Sequence, residues 1–394
     1  MKLGIVVVTY NRINSLIRLL SSLDKSYYNE EVDLILSIDK SKTDKVEAFA
    51  DEFEWSHGQK IVCKHQKNLG LKAHILSVGN WLEKYDAIVV LEDDLVVSPF
   101  YYQYAKQTVT KYAHESKVAG ISLYNFAINY QNGLPFEPVK DTNDVFFMQC
   151  AMSWGQIWMR DSWNRFLKWY DQNLQFTPSA VVPRALYKFG EKSWLKFHTR
   201  YCIENDLYFV YPYTSLSTNF SDQGTNHNNV RGGNPTINQV RLQKGAGVLS
   251  YRLPSFDESK VKYDGFFENQ YLYAELNFNE DDLCLDLNGE NLNQSEKRYW
   301  LTTIKKDYKV IQSFGLAYKP IEENVLQHIP GQEIYLYDTS VREKNTSIPN
   351  NDRYLFLYRI GSMVQLLRSY GLWKAVSDFI YSLKRRVVRN VVKK

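Results

Sequence analysis

Cysteine is scarce in this sequence, four in 394 residues, and Cys63, Cys150, Cys202 and Cys284 share neither a CxxC pair nor a metal-like spacing. That pattern argues against a cysteine metal centre, and the thiols are expected to stay reduced in a cytosolic setting. Long hydrophobic runs are missing as well. No stretch of about 18 uncharged apolar residues occurs, so no transmembrane helix is expected. The opening "MKLGIVVVTYNR" shows no charged leader, apolar core and cleavage site, and reads as a strand rather than a signal peptide. Charge of one sign is not in excess either. A formal net charge of +4 is too small in a chain of this length to imply nucleic-acid binding by bulk electrostatics.

What the chain does have is apolar and aromatic mass: 44% hydrophobic residues, with 29 Tyr, 20 Phe and 9 Trp. This is enough for one large domain or two modest ones. The Tyr and Trp content suits a groove that stacks on sugar faces, and it equally suits an ordinary core.

Residues 1 to 125 alternate strands and helices. "LGIVVVTY" reads as a strand, and "INSLIRLLSSL" as a helix with Ile13, Leu16, Ile17, Leu20 and Leu23 on one face. "VDLILSID" is a second strand, "TDKVEAFADEF" a helix and "KIVCKH" a third strand. "LKAHILSVGNWLEKY" is a further helix, "AIVVLED" a strand, and a helix runs from about Pro99 to His114. Such βαβ units imply an α/β fold with a mostly parallel sheet flanked by helices, in which ligands bind beyond the carboxyl ends of the strands. Glu92, Asp93 and Asp94 sit at one such end.

Three carboxylates closing a strand have three uses. They hold a divalent cation that carries phosphate oxygens, they act as nucleophile and acid, or they cap the next helix. Polar or small residues in "VVTYNR", "SIDKSKTD" and "KNLGLKAH" follow the other strands and would line one pocket with them.

The elements "VVVTYNR", Asp39, "NLGLKAHI" and "VVLEDDLVVSPFYYQY" together resemble the GT-A nucleotide-sugar glycosyltransferases over roughly residues 1 to 230. The likeness is to the inverting family 2 enzymes and, in the "LEDDL" segment, to N-acetylglucosaminyltransferase I. The resemblance implies a Rossmann-like GT-A domain that takes a nucleotide-sugar donor, with UDP favoured, and Mn²⁺ or Mg²⁺. It implies that Thr9, Tyr10, Arg12 and Asp39 surround the nucleoside, and that Asn68, Gly70 and Lys72 complete that wall. Asp94 is the expected metal ligand, with Glu92 and Asp93 near the ribose and bridging waters. Asp39 also reads as a simple turn residue and Lys72 as a solvated helix residue.

An inverting transferase needs a base for the acceptor hydroxyl. By the same resemblance, "AMSWGQIWMRDSW", with Trp154 and Gly155, corresponds to the acceptor loop. The acidic pair expected downstream is replaced by "FGEKSWLKFHTRYCIENDLYFVYP". Glu191 is the assigned base and Asp161 the second choice. His227, in the polar stretch "STNFSDQGTNHNNVRGGNP", is an additional metal ligand or diphosphate contact by this reading, and a plain surface residue otherwise.

The expected organisation is a glycosyltransferase domain over 1–245, split into a donor half (1–125) and an acceptor half (126–245). An accessory extension follows over 246–350, and then a basic amphipathic helical tail over 351–394. In the tail, Met363, Leu367, Tyr370, Trp373, Val376, Ile380, Leu383, Val387 and Val391 recur every three or four residues, and Lys384, Arg385, Arg386, Arg389, Lys393 and Lys394 crowd its end. Such a helix suits an anionic membrane surface, or packing on the protein itself or on a partner subunit with its basic end solvated. The expected protein is a cytoplasmic, peripherally membrane-associated transferase acting on a glycan or lipid-linked acceptor in bacterial cell-surface polysaccharide synthesis, with no nucleic-acid partner. The alternative is an inactive protein of the same fold that binds a glycan or nucleotide. A sugar nucleotidyltransferase is disfavoured, because the first strand runs into "TYNR" with no Gly-rich phosphate loop.

Overall fold

The computed structural model describes residues 1–220, 222, 239–291 and 296–344. The first half of the chain supplies β1 (Leu3–Thr9), α1 (Ile13–Asp24), β2 (Leu34–Ile38), α2 (Lys45–Glu52), β3 (Lys60–Lys64), α3 (Leu71–Val78), β4 (Ala87–Glu92), β5 (Leu95–Val97), α4 (Tyr101–Tyr112) and β6 (Val118–Ser122). It continues through β7 (Val145–Met148), β8 (Gln156–Met159), α5 (Arg160–Gln172), α6 (Leu195–Glu204), β9 (Tyr208–Pro212), β10 (Ser217–Asn219) and β11 (Lys262–Tyr263). Among the described residues nine strands form the main sheet, in the order β11-β7-β9-β6-β8-β4-β1-β2-β3. Five of its neighbour pairs are parallel and three antiparallel, the mostly parallel α/β class expected.

Every residue of β1 and β2 is buried, which explains why their sequences are continuous apolar runs rather than alternating ones. Alternate residues serve two cores. Ile5, Val7, Val89 and Leu91 pack against α1, α2 and α4, whereas Val6, Val8, Ile88 and Val90 pack against α3, α5 and α6. The sheet is therefore the middle of three layers.

Two helical details depart from the sequence expectation. The buried stripe of α1 is Leu16, Leu19, Leu20 and Leu23, and Ile17 is 43% exposed. Both sets obey a helical period, and only the sheet contact selects the phase. The helix expected through Tyr85 ends at Val78 and becomes a 3₁₀ turn over Gly79–Glu83. At Gly79 the chain passes so close to α5 that an added Cβ would meet Trp163 Nε1 at 2.0 Å.

Strand pairing does not stop at residue 245. β11 pairs in parallel with β7, Tyr263 opposite Met148, so the main sheet reaches into the stretch assigned to the accessory extension. Beyond it, β12 (Leu283–Asp286), β13 (Tyr299–Thr302), β14 (Tyr308–Phe314) and β15 (Ile334–Arg342) form a separate sheet in the order β12-β13-β15-β14. That sheet has its own core around Leu272, Leu285, Leu301, Phe314, Val325 and Leu336. No helix among the described residues is long and apolar enough to cross a membrane. The expected amphipathic tail, residues 351–394, lies outside the described residues.

Candidate active site

β1 and β4 run parallel with Val8 opposite Glu92, so the residues that follow both strands emerge at the same edge of the sheet. This register brings sequence positions more than eighty apart into one hydrogen-bonded group. Thr9 Oγ1 donates to Asp93 Oδ2 at 2.8 Å. Arg12, just ahead of α1, donates through Nη1 to Asp94 Oδ2 at 2.9 Å and through Nη2 to Asp93 Oδ1. The turn at 93–94 leads directly into β5, which pairs with β10, and this ribbon carries Asn219 Nδ2 to 3.3 Å from Asp94 Oδ1. Asp93 and Asp94 are both buried.

One guanidinium faces three carboxyl groups. Desolvation of the Glu92 carboxyl, then the charges of Asp94 and Asp93, push its pKa up to about 8, opposed by Arg12 and by a hydrogen bond with Ser153. Burial also raises Asp93, against the pull of Arg12 and Thr9. On Arg12 burial acts in the lowering direction, but the two aspartates outweigh it and hold the guanidinium charged. The turn thus gathers more carboxyl groups than one guanidinium can pair, and a cation placed there would favour their ionised forms.

Among the described residues no group of three or more His, Cys, Asp or Glu side chains converges on a metal position. A hard cation such as Mg²⁺ or Mn²⁺ needs only one or two carboxylates when water and phosphate oxygens fill its remaining positions. The carboxyl oxygens of Asp94 and Glu92 are donors of the type that requirement takes. His227, the other expected ligand, lies outside the described residues.

The carboxylate of Asp39 follows β2 and is turned onto backbone. Its Oδ1 accepts from the amides of Lys40 at 2.9 Å and Leu69 at 2.8 Å, and its Oδ2 from the amide of Gly70 at 3.0 Å. Asn68 Nδ2 donates to the carbonyl of Lys40 at 3.1 Å. Asp39 therefore ties the loops after β2 and β3 together and sets the entry to α3. Lys72, in the first turn of α3, extends over the ring of Phe197 at 5.3 Å. Tyr10 is half-buried beside Thr9.

On the acceptor side, Trp154 stands edge-on to Tyr124 at 4.9 Å, and its carbonyl accepts from Ser217 Oγ at 2.5 Å. Gly155 has φ +88°, and a Cβ there would meet Ser217 Oγ at 2.9 Å, so the loop is drawn tightly against β10. Glu191 is exposed in the turn before α6. α6 descends into β9, which runs parallel to β6, and β6 and β4 both run antiparallel to β8. The N-terminal end of α6 therefore lies at the same sheet edge as the acidic turn, and Glu191 with it. Asp161 does not. It follows β8, whose last residue Met159 pairs with Ala87 at the opposite end of β4 from Glu92. An antiparallel register thus sends Asp161 to the far edge, away from the acidic turn.

The structure adds residues that the sequence did not single out. Asn219 and Ser153 reach the carboxylates through strand pairing and loop closure. Asp222 docks on α1, accepting from Ser15 Oγ at 2.7 Å and from Arg18, while Arg12 Nη1 lies 3.4 Å from its carbonyl oxygen. Arg18 also covers the ring of Phe220 at 4.1 Å. Their polar segment was visible in the sequence, but the β5–β10 register that places it was not.

Residues 4–128 match the model of glycosyl transferase family 2. The match takes in β1 to β6, with the acidic turn, Arg12 and Asp39, and covers about a third of the chain. No curated protein matches the chain in sequence. Among solved structures, S. aureus TarS 1-349 in complex with UDP-GlcNAc is 17% identical, with a TM-score of 0.40, over 58% of this chain and 61% of that one. GalNAc-T7 with UDP, GalNAc and Mn²⁺ is 15% identical, with a TM-score of 0.39, over 60% and 47%. The mannosyltransferase PcManGT from Pyrobaculum calidifontis in complex with GDP-Man and Mn²⁺ is 14% identical, with a TM-score of 0.29, over 42% and 46%. The chain thus spans less than two thirds of the length of each.

Proposed function

We propose that this protein transfers a sugar, with inversion, from a nucleoside-diphosphate sugar, preferentially a UDP-sugar, to a glycan or lipid-linked acceptor in bacterial cell-surface polysaccharide synthesis. The observation that carries the reading is the acidic turn itself, gripped by Arg12 and Thr9 at the carboxyl ends of adjacent parallel strands inside the family 2 stretch.

In this reading Thr9, Tyr10, Arg12, Asn68, Gly70 and Lys72 wall the nucleoside. Asp39 fixes the loop that carries part of that wall and faces the nucleoside from below it. Glu92 and Asp93 stand by the ribose. Asp94 is the metal ligand, and Mn²⁺ or Mg²⁺ bound there would neutralise the developing charge on the leaving diphosphate. Arg12 holds the two aspartates in register, and Trp154 offers a flat apolar face to the sugar or acceptor. Glu191 receives the proton of the attacking hydroxyl on its carboxylate. The basic amphipathic tail would bring this site to the cytoplasmic face of an anionic membrane, where lipid-linked acceptors lie.

A binding protein of the same fold without transfer is favoured by one observation: both Asp94 oxygens already accept hydrogen bonds, from Arg12 and Asn219. The two readings separate on one experiment. The purified protein is tested for donor binding and hydrolysis over a panel of nucleotide sugars, beginning with UDP-N-acetylhexosamines because of the "LEDDL" likeness, with and without Mn²⁺, beside Asp94→Ala. Metal-dependent turnover of one donor, lost in the variant, supports the transferase. Binding without turnover supports the alternative, and no binding by either protein removes both.

A further inference from the structure

Among the described residues a pair of lysines near the candidate site has no carboxylate partner within ion-pair distance. Lys196, in the first turn of α6, is 7% exposed, and a lysine that buried is ordinarily paired. Its ammonium instead lies 5.0 Å from the ring centre of Phe176 and 5.6 Å from that of Phe197, with a long hydrogen bond of 3.4 Å to the carbonyl of Phe189. Lys72 from α3 reaches the same Phe197 ring at 5.3 Å. Two cations thus share one aromatic ring. Burial lowers the Lys196 pKa and the charge of Lys72 lowers it further, with Glu191 pulling the other way. Among the described residues neither lysine forms an ion pair.

Like charges that feel one another in a partly desolvated place cost free energy that a nearby anion would recover. We propose that Lys72 and Lys196 form a binding site for an anionic substituent, phosphate or carboxylate, carried by the acceptor. The proposal rests on the transferase reading and narrows its acceptor class. The acceptor, rather than the donor, is implied by position: Lys196 lies outside the family 2 stretch and five residues from Glu191, the carboxylate assigned to the acceptor hydroxyl.

The test uses the full chain, with and without saturating UDP, titrated with three probes: methyl glucoside, its 6-phosphate, and methyl glucuronide. At least one charged probe is expected to bind about tenfold tighter than the neutral one, and the stronger of the two identifies phosphate or carboxylate as the group recognised. Lys196→Gln should abolish that preference and Lys196→Arg should restore it. Because the Lys196 stem packs on Phe176, the half-buried Lys72 provides a second variant, Lys72→Gln, which should abolish the preference too. Equal binding of neutral and charged probes, or a preference that survives in folded Lys196→Gln, overturns the proposal. So does a matching loss of UDP affinity in Lys196→Gln, which would assign that lysine to the donor diphosphate; the UDP readout is not applied to Lys72→Gln, because Lys72 also walls the nucleoside. Failure of UDP to bind wild type while the charged probe still binds through Lys196 would instead remove the transferase reading and leave the anion site standing.

Discussion

Arg12 and Asp94, eighty-two positions apart in the chain, meet at 2.9 Å, with the guanidinium bridging onward to Asp93. The pair is largely buried, so removing one partner leaves charge without compensation. Arg12→Ala is expected to cost about 3 kcal/mol in chemical denaturation, with Arg12→Lys recovering only part because a point-like ammonium lacks the planar fork that gives each aspartate its own nitrogen. Millimolar Mn²⁺ should stabilise Arg12→Ala more than wild type, as it replaces the missing positive charge. Equal shifts in the two proteins would count against a cation at this turn.

Asp39→Ala removes the acceptor of three backbone amides, at Lys40, Leu69 and Gly70. A loss of about 2 kcal/mol or more is expected in urea denaturation. The effect should be local as well. Hydrogen exchange at the Leu69 and Gly70 amides should accelerate, and UDP binding should weaken through the loosened loop.

Glu191 and Asp161 give opposite expectations. Glu191→Gln should lower the transfer rate by about 10²-fold or more, with donor binding little changed. Asp161→Asn should leave transfer as it is, because β8 delivers Asp161 to the other edge of the sheet. Steady-state kinetics of the two variants side by side decides between them.

A second acidic group lies where the main sheet meets the smaller one. Glu268, Asp286 and Glu322 are buried, and burial raises all three: Asp286 and Glu322 to about 7, and Glu268 well above its usual range, with the charges of Asp286 and Asp264 adding to the effect. In the unfolded chain such groups titrate near 4, so the folded state holds extra protons between about pH 4 and 7 and stability falls as pH rises through that window. Thermal stability should therefore decline from pH 5 to 8. Among the described residues Glu268 Oε2 has no hydrogen-bond partner, while Oε1 accepts from the Asn288 amide at 2.9 Å. Glu268→Gln should raise the melting temperature at pH 8 by a few degrees and change it little at pH 5. The same shift at both pH values would point to packing rather than proton uptake.

The sequence by itself determined the layered α/β core and the acidic strand end. Strands buried on both faces must be apolar throughout, so β1, β2 and β4 are written as runs of Val, Ile and Leu, and an abrupt Glu-Asp-Asp after such a run marks a strand end. Tertiary structure alone decided which polar groups meet there. The parallel register of β1 and β4 set Arg12 and Thr9 against Asp93 and Asp94, and the β5–β10 ribbon added Asn219. The antiparallel course of β8 carried Asp161 to the other edge of the sheet, and α6 brought Lys196 to the Phe197 ring that Lys72 also reaches. Local pattern records whether a residue is buried, because burial depends on period and hydrophobicity. The partner of a buried charge depends on strand order and direction, which are fixed only when the whole sheet assembles.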